Sequence, residues 1–271
     1  MLCVLLLVIA GTTVLVRCAP GYLSDAREMD ARYSSAARED LSTEESRSGS
    51  LPHALLTEFE ELACGHLGAS RQFGVPVSEL ILPRLATTGS LLLRATLIAW
   101  TFSVAAAIIS NSHRSSSLIW HVPATVLLAI PIAAMATICL LMDHGGPLLV
   151  MTLLLAARDF KFVDSILRKA WHDQHLLQAR AQGLEPRRLW LAHVLPGVAP
   201  QLVALASFSI ATALSALVPV EVIFNIPGIG QLAWNAALNR DLPVLLAVTL
   251  MMAIAITSTG MVAEARKWGV E

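Results

Sequence analysis

The chain has 271 residues, of which 55% are hydrophobic and only 14% charged, and its mean hydropathy is +0.65. That is too apolar for a soluble globular domain, where about a quarter of residues are charged, so the solvent these residues are built for is lipid. The formal net charge of −1, from 19 Lys and Arg against 20 Asp and Glu, gives no sign of nucleic-acid binding, which would need a basic face or stripe.

A membrane helix needs about 20 mostly apolar residues. Residues 1–16, MLCVLLLVIAGTTVLV, form the first such run. No charged residue precedes the run, which favours a span over a signal peptide, whose apolar core follows a charged start. From Pro20 to Glu61 the composition reverses: Asp25, Glu28, Asp30, Glu39, Asp40, Glu44 and Glu45 alternate with Arg, Ser and Ala. Such a stretch lacks the apolar surface for a large core and reads as an extramembrane loop. Glycines and Pro76 then punctuate the entry to a second span at about 86–110. A polar turn over Asn111–Ser117 leads to a third span at about 118–142, which contains Pro123 and Pro131. Lipid helices tolerate proline when neighbours satisfy the freed carbonyls. Asp143, His144, Gly145 and Gly146 make a tight turn into a short fourth span at about 147–160.

The fourth span is expected to continue as helix into a polar break at 158–196, RDFKFVDSILRKAWHDQHLLQARAQGLEPRRLWLAHVLP. Val163, Ile166, Leu167, Ala170 and Trp171 fall on one helical stripe, while Asp164, Arg168, Lys169, His172 and Asp173 face elsewhere. Gly183 suits a helix C-terminus and Pro186 the first turn of the next helix. This helix–turn–helix either lies in the headgroups or docks a partner; periodicity alone favours neither. A fifth span at about 200–218 carries small residues, Ala204, Ser207, Ala211 and Ser215, that allow close helix packing. A sixth runs from about Leu242 to Ala263.

The expected fold class is therefore an all-α integral membrane protein of about six transmembrane helices. Residues 1–19 form the first helix, 20–85 an extracytoplasmic loop with the entry to the second span, and 86–271 the main transmembrane domain. Arg158, Lys161, Arg168, Lys169, Arg180, Arg187 and Arg188 in the polar break, with Arg266 and Lys267 after the last span, place both regions and both termini in the cytoplasm.

Cys3, Cys18, Cys64 and Cys139 show no metal-ligand spacing, and a Cys18–Cys64 disulfide stays open. His172 and His175 stand at i, i+3 without the glutamate of an HExxH arrangement, so zinc-protease chemistry has no base there. The chain contains no Gly-rich phosphate loop ending in Gly-Lys-Ser or Gly-Lys-Thr, so ATP hydrolysis would need a separate polypeptide. Glu221 and Asn225 precede Pro227, Gly228 and Gly230, a stretch whose backbone cannot continue as a spanning helix. Glu221 at the end of an apolar span either belongs to a translocation path or is a loop residue in headgroup water. Arg240 and Asp241 read as anchors for the start of the last span.

The stretch ARAQGLEPRRLWLAHVLPGVAP resembles the cytoplasmic motif of binding-protein-dependent ABC importer permeases, with Leu177 in place of that motif's leading glutamate. Two further stretches, HLGASRQFGVPVSELILPRLATT and VEVIFNIPGIGQLAWNAALNRDLPVLLAVTL, resemble the first, B-type permease of dipeptide, oligopeptide and nickel importers, with His66 where an aspartate is usual. The resemblance implies a bacterial inner-membrane, multi-pass transport subunit, not itself an enzyme, with a cytoplasmic coupling-helix loop. Ala179, Arg180, Ala181, Gly183 and Leu184 would form the docking turn, and Leu195 and Pro196 would lead back to the membrane. Implied partners are a second permease, two nucleotide-binding ATPase subunits carrying ATP and Mg, and an extracytoplasmic substrate-binding protein. This chain itself would need no cofactor. The expected cargo is a di- or oligopeptide. A nickel or other small-solute permease, a divergent non-transporting scaffold and an intramembrane enzyme using the paired histidines are the alternatives.

Overall fold

A computed structural model describes residues 67–70, 72–112, 117–143, 145–171, 194–239 and 241–268, together with residues 7, 8, 10–12, 14 and 15, which are helical. The acidic stretch from Pro20 to Glu61 and the loop centre with Ala179, Arg180, Ala181, Gly183 and Leu184 lie outside the described residues, as do His172 and His175.

In chain order the helices are α1 (Val77–Ser112), α2 (Ser117–Ala129), α3 (Ile132–Leu141), α4 (Pro147–Trp171), α5 (Leu195–Ile223), α6 (Ile229–Leu238) and α7 (Leu242–Trp268). Among the described residues the only β feature is an isolated bridge between Ala69 and Pro76. Three stretches, Val77–Asn111, Leu195–Ile223 and Leu242–Met261, are long and apolar enough to cross a membrane. The pair α2 and α3 makes a fourth if taken as one broken span. Helix α4 falls outside that set because Arg158, Asp159, Lys161 and Asp164 interrupt its apolar run.

Three details depart from the sequence reading. Helix α1 starts at Val77, well before residue 86, because Pro76 fits the position just ahead of a helix and Glu79 sits in its first turn. The third span is not continuous: α2 and α3 are bent by 95° across Ile130–Pro131. Pro131 has no N–H to give and its ring clashes with the carbonyl four residues back, so the chain restarts with Pro131 at φ −58°, ψ 137°. The third departure lies on α5, whose buried face holds Leu205, Ser209, Ala213, Leu217 and Val220. Of the four small residues expected there, Ser207 is buried, Ala204 and Ala211 partly so, and Ser215 is exposed.

Two compact units form, the first from residues 67–84 and Leu232–Ile254, the second from Leu85–Gln231 and residues 255–268. In the second, α4 packs against α5, α2 and α3, and α5 packs against α3. Its main apolar cluster joins Ala106 and Ala107 of α1, Ala124 of α2, Phe160, Val163 and Leu167 of α4, and Val194, Val198 and Leu205 at the start of α5. The alanines let α1 and α2 approach α4 closely, and Ser103 Oγ donates to the Ala156 carbonyl across that contact at 3.0 Å. Helix α4 runs unbroken from its apolar half through Trp171, so the stripe of Val163, Leu167 and Trp171 belongs to the membrane unit's core and not to a separate surface helix.

In the first unit a turn over residues 67–76 is closed by Ser70 N–H to the Val75 carbonyl (2.9 Å), Gly74 N–H to the Ser70 carbonyl (2.9 Å) and Val77 N–H to the Gly68 carbonyl (3.1 Å). Buried Asp241 accepts from Ser70 Oγ and from Gln72 N–H at 3.2 Å. Asp241 thus ties this turn to the start of α7; Arg240, expected beside it as an anchor, lies outside the described residues. Ser70→Ala removes that donor and the acceptor for Phe73 N–H at 3.0 Å. It is expected to cost about 1 kcal/mol, read as a lower thermal unfolding midpoint in detergent.

Candidate functional site

Helix α5 ends at Ile223 with Phe224 as its C-cap. Asn225 follows in the left-handed region at φ 51°, the conformation that terminates helices and that Asn tolerates better than most residues. The chain then turns tightly, with Ile226 N–H donating to the Glu221 carbonyl at 2.8 Å and Gly228 N–H to the Ile226 carbonyl at 2.7 Å. Pro227 is exposed on this turn. The outcome is a reversal that starts the short helix α6 at Ile229.

The Glu221 carboxylate organises this reversal. It is fully buried, yet every direction it faces holds a donor. Oε1 accepts from Thr88 Oγ1 at 2.7 Å, and Oε2 accepts from Gly230 N–H at 2.7 Å and from Gln231 N–H at 3.2 Å. Thr88 Oγ1 in turn accepts from Ile229 N–H at 2.9 Å. Three of the unpaired N–H groups that open α6 are therefore capped by two side chains from α1 and α5. The negative charge lies at the positive end of the helix dipole, and this pairing offsets much of the cost of desolvating a carboxylate.

The glycines exist to admit it. A Cβ on Gly228 would lie 2.2 Å from both Cδ and Oε1 of Glu221, and one on Gly230 would lie 2.9 Å from the Val218 backbone and 3.1 Å from Glu221 Oε2. Gln231 Nε2 also donates to Asn225 Oδ1 at 2.6 Å. The structure thus brings Glu221, Asn225, Gly228 and Gly230 into one assembly with Pro227 at its rim. Within this unit Glu221 is fully buried, its carboxylate turned onto the start of α6. Sequence reasoning missed Thr88, for which the chain offers no signal beyond a hydroxyl near the expected start of a span.

At the other end of the chain's polar pattern, Leu195 is half-buried and Pro196 exposed at the start of α5. They sit beside Val194 and Val198, which share the apolar cluster with Val163 and Leu167. The two arms of the polar break, α4 leaving and α5 returning, are therefore packed on each other, while the turn between them, where a docking surface is expected, lies outside the described residues.

Three helices long and apolar enough to cross a membrane, and a bent pair that makes a fourth if taken as one span, define an α-helical integral membrane protein. Residues 85–265 match the family described as binding-protein-dependent transport system inner membrane component. The match covers more than half of the chain, which belongs to that family of importer permeases. The chain is similar to the oligopeptide transport system permease protein OppB of Escherichia coli, 34% identical over 117 residues, which are 40% of this chain and 38% of that protein. It is also similar to the oligopeptide transport system permease protein AppB of Bacillus subtilis, 25% identical over 220 residues, 70% of each. The metal-staphylopine import system permease protein CntB of Staphylococcus aureus is 33% identical over 108 residues, 40% of this chain and 34% of that protein. The chain thus covers little more than a third of the length of OppB.

Proposed function

We propose that the chain is one of two membrane subunits of an ATP-driven importer for di- or oligopeptides, in the bacterial inner membrane with both termini in the cytoplasm. The observation that carries the reading is the family match over residues 85–265, supported by similarity to AppB along 70% of both chains. ATP and Mg act on two separate ATPase subunits, and a binding protein outside the membrane delivers the solute to this chain and a second permease. The similarity to CntB favours, as the second reading, a small metal-complex cargo on the same architecture.

In this mechanism Ala179, Arg180, Ala181, Gly183 and Leu184 form the turn that the ATPase grips. Leu195 and Pro196 return its displacement to α5, whose N-terminal residues share a packed cluster with α4. The segment Glu221, Asn225, Pro227, Gly228 and Gly230 shapes the outer end of the path, Glu221 by holding α6 in place and not by touching solute.

Gly183→Glu puts a charged side chain where backbone must close on the motor protein. In membranes carrying the full complex, it is expected to leave insertion and ATP hydrolysis intact while uptake falls at least ten-fold. Unchanged uptake per ATP hydrolysed counts against the docking turn.

A further inference from the structure

Asp164 is charged and lies off the apolar stripe of α4, so a solvent-facing position is expected for it. Instead its side chain is 2% exposed. Oδ1 accepts from Asn111 Nδ2 at 2.8 Å, at the end of α1. Oδ2 is paired with His121 Nε2 at 2.9 Å, near the start of α2, and with Arg168 one turn further along α4 at 3.0 Å. Asn111 Nδ2 also donates to the Ala107 carbonyl at 2.8 Å, which fixes its amide, and the His121 ring lies 5.1 Å from the Phe160 ring. One carboxylate therefore joins three helices at the end of α4 that runs into residues 172–193.

Apolar contacts already hold this region: Ala107, Phe160, Val163 and Leu167 are buried in one cluster, with Ile108, Trp120 and Trp171 packed on it. A hydrophobic residue in place of a buried ion pair often costs nothing in stability. What the carboxylate adds is register, because each donor must meet it within hydrogen-bond distance and a slide of one helix breaks the set. The position decides what that register serves. Asp164 sits seven residues before Trp171, the last described residue of the helix leading to the docking turn, whereas Asn111 and His121 flank the short connection between α1 and α2.

We propose that Asp164 is a positioning residue that locks the α1–α2 connection to the stem of α4, so that a push on the docking turn moves all three helices as one body. The proposal rests on the reading of the chain as an ATP-driven permease. Without the lock, α4 would slide over the apolar cluster and the stroke would be lost locally, with ATP still consumed.

The test pairs a structural and a functional readout. Nitroxide labels at Ile109 on α1 and Ser165 on α4, both exposed, report the α1–α4 separation by pulsed electron resonance in the full-length protein. Asp164→Leu is expected to broaden that distance distribution at least two-fold and to lower the unfolding midpoint only a little, because the charged partners it leaves, Arg168 and His121, are 46% and 33% exposed and can turn to water. In membranes carrying the partner subunits it is expected to lower uptake per ATP hydrolysed at least ten-fold. Asp164→Asn covers the case in which leucine misfolds, since its amide keeps the size but presents a donor to Asn111 or to His121 and Arg168. The exchange Asp164→Asn with Asn111→Asp gives every side-chain donor of the set an acceptor again, at the loss of the bond from residue 111 to the Ala107 carbonyl, and is expected to recover part of the coupling, which a mere loss of packing would not predict. An unchanged distribution with unchanged uptake per ATP in Asp164→Asn, or no recovery in the exchange, overturns the proposal. If the unaltered chain gives no ATP-dependent uptake with its partners, the importer reading falls instead, and the label pair alone decides whether Asp164 holds the stem.

Discussion

Gly228→Ala is expected to unseat α6. The added Cβ would stand 2.2 Å from two atoms of the Glu221 carboxylate group and 2.3 Å from the third, so no rotation of the carboxylate relieves the clash and the whole group must leave. Its departure strips Gly230 N–H and Gln231 N–H of their acceptor and Thr88 Oγ1 of the group it donates to. Removing one side of a buried charged network costs about 3–5 kcal/mol, more than a simple lost hydrogen bond, because the other side stays buried and unpaired. Glu221→Ala removes the same acceptor from the other side and is expected to cost as much. Glu221→Gln separates hydrogen bonding from charge: its amide oxygen can take the place of Oε2 while its NH2 donates to Thr88 Oγ1, which then accepts from both the new amide and Ile229 N–H and gives up the bond it donated. That variant is expected to lose about 1 kcal/mol, the worth of a charge at a helix N-terminus. Thermal unfolding in detergent of the three variants checks the order. Equal midpoints for Glu221→Ala and Glu221→Gln would mean that the carboxylate does not cap α6.

How much of this was legible in the sequence depends on the range of the interaction that sets each feature. Helices α1, α5 and α7 follow from runs of apolar residues too long for anything but a span, and the end of α5 follows from Asn225, Pro227 and Gly228 acting on their own backbone. Membership of the permease family was legible from the same segment and from the polar break. The 95° bend at Pro131 was harder, because an identical proline at position 123 stays inside α2. Whether a proline kinks or breaks a helix is decided by what surrounds it. Least legible were the long-range polar pairs. Thr88 lies 133 positions from Glu221, Asn111 lies 53 from Asp164, and no periodicity connects residues across such separations. The same limit explains the buried face of α5, where a stripe of small residues was visible but not the side that meets α4, which also takes in a buried carboxylate.

That carboxylate, Asp159, supplies a second large expected effect. It is fully buried on α4, with Oδ2 accepting from Ser209 Oγ of α5 at 2.5 Å and Oδ1 left without a hydrogen-bond partner among the described residues. The neighbouring Arg158 also reaches α5, donating to Thr212 Oγ1 and lying 4.0 Å from the centre of the Phe208 ring, a cation–π contact, with its charge acting on Asp159. Both charged groups therefore contact α5, yet the acid is held by a single donor. Ser209→Ala takes that donor away and leaves a buried carboxyl without a hydrogen bond, with only the charge of Arg158 to act on it, an expected loss of about 2 kcal/mol. Adding Asp159→Val to Ser209→Ala removes the group that suffers, so the double variant should recover most of the lost stability even though it carries one more substitution. This opposite sign separates a burial penalty from a favourable bond: if Ser209 Oγ and Asp159 were worth keeping for their attraction alone, the second change would add to the damage or leave it as it was. Unfolding midpoints of the two single variants and the double variant, measured in the same detergent, complete the cycle. Recovery in the double variant would make the acid a burden on folding that the packing of α4 against α5 tolerates. A neutral Ser209→Ala would instead mean that Asp159 finds another donor once the serine is gone.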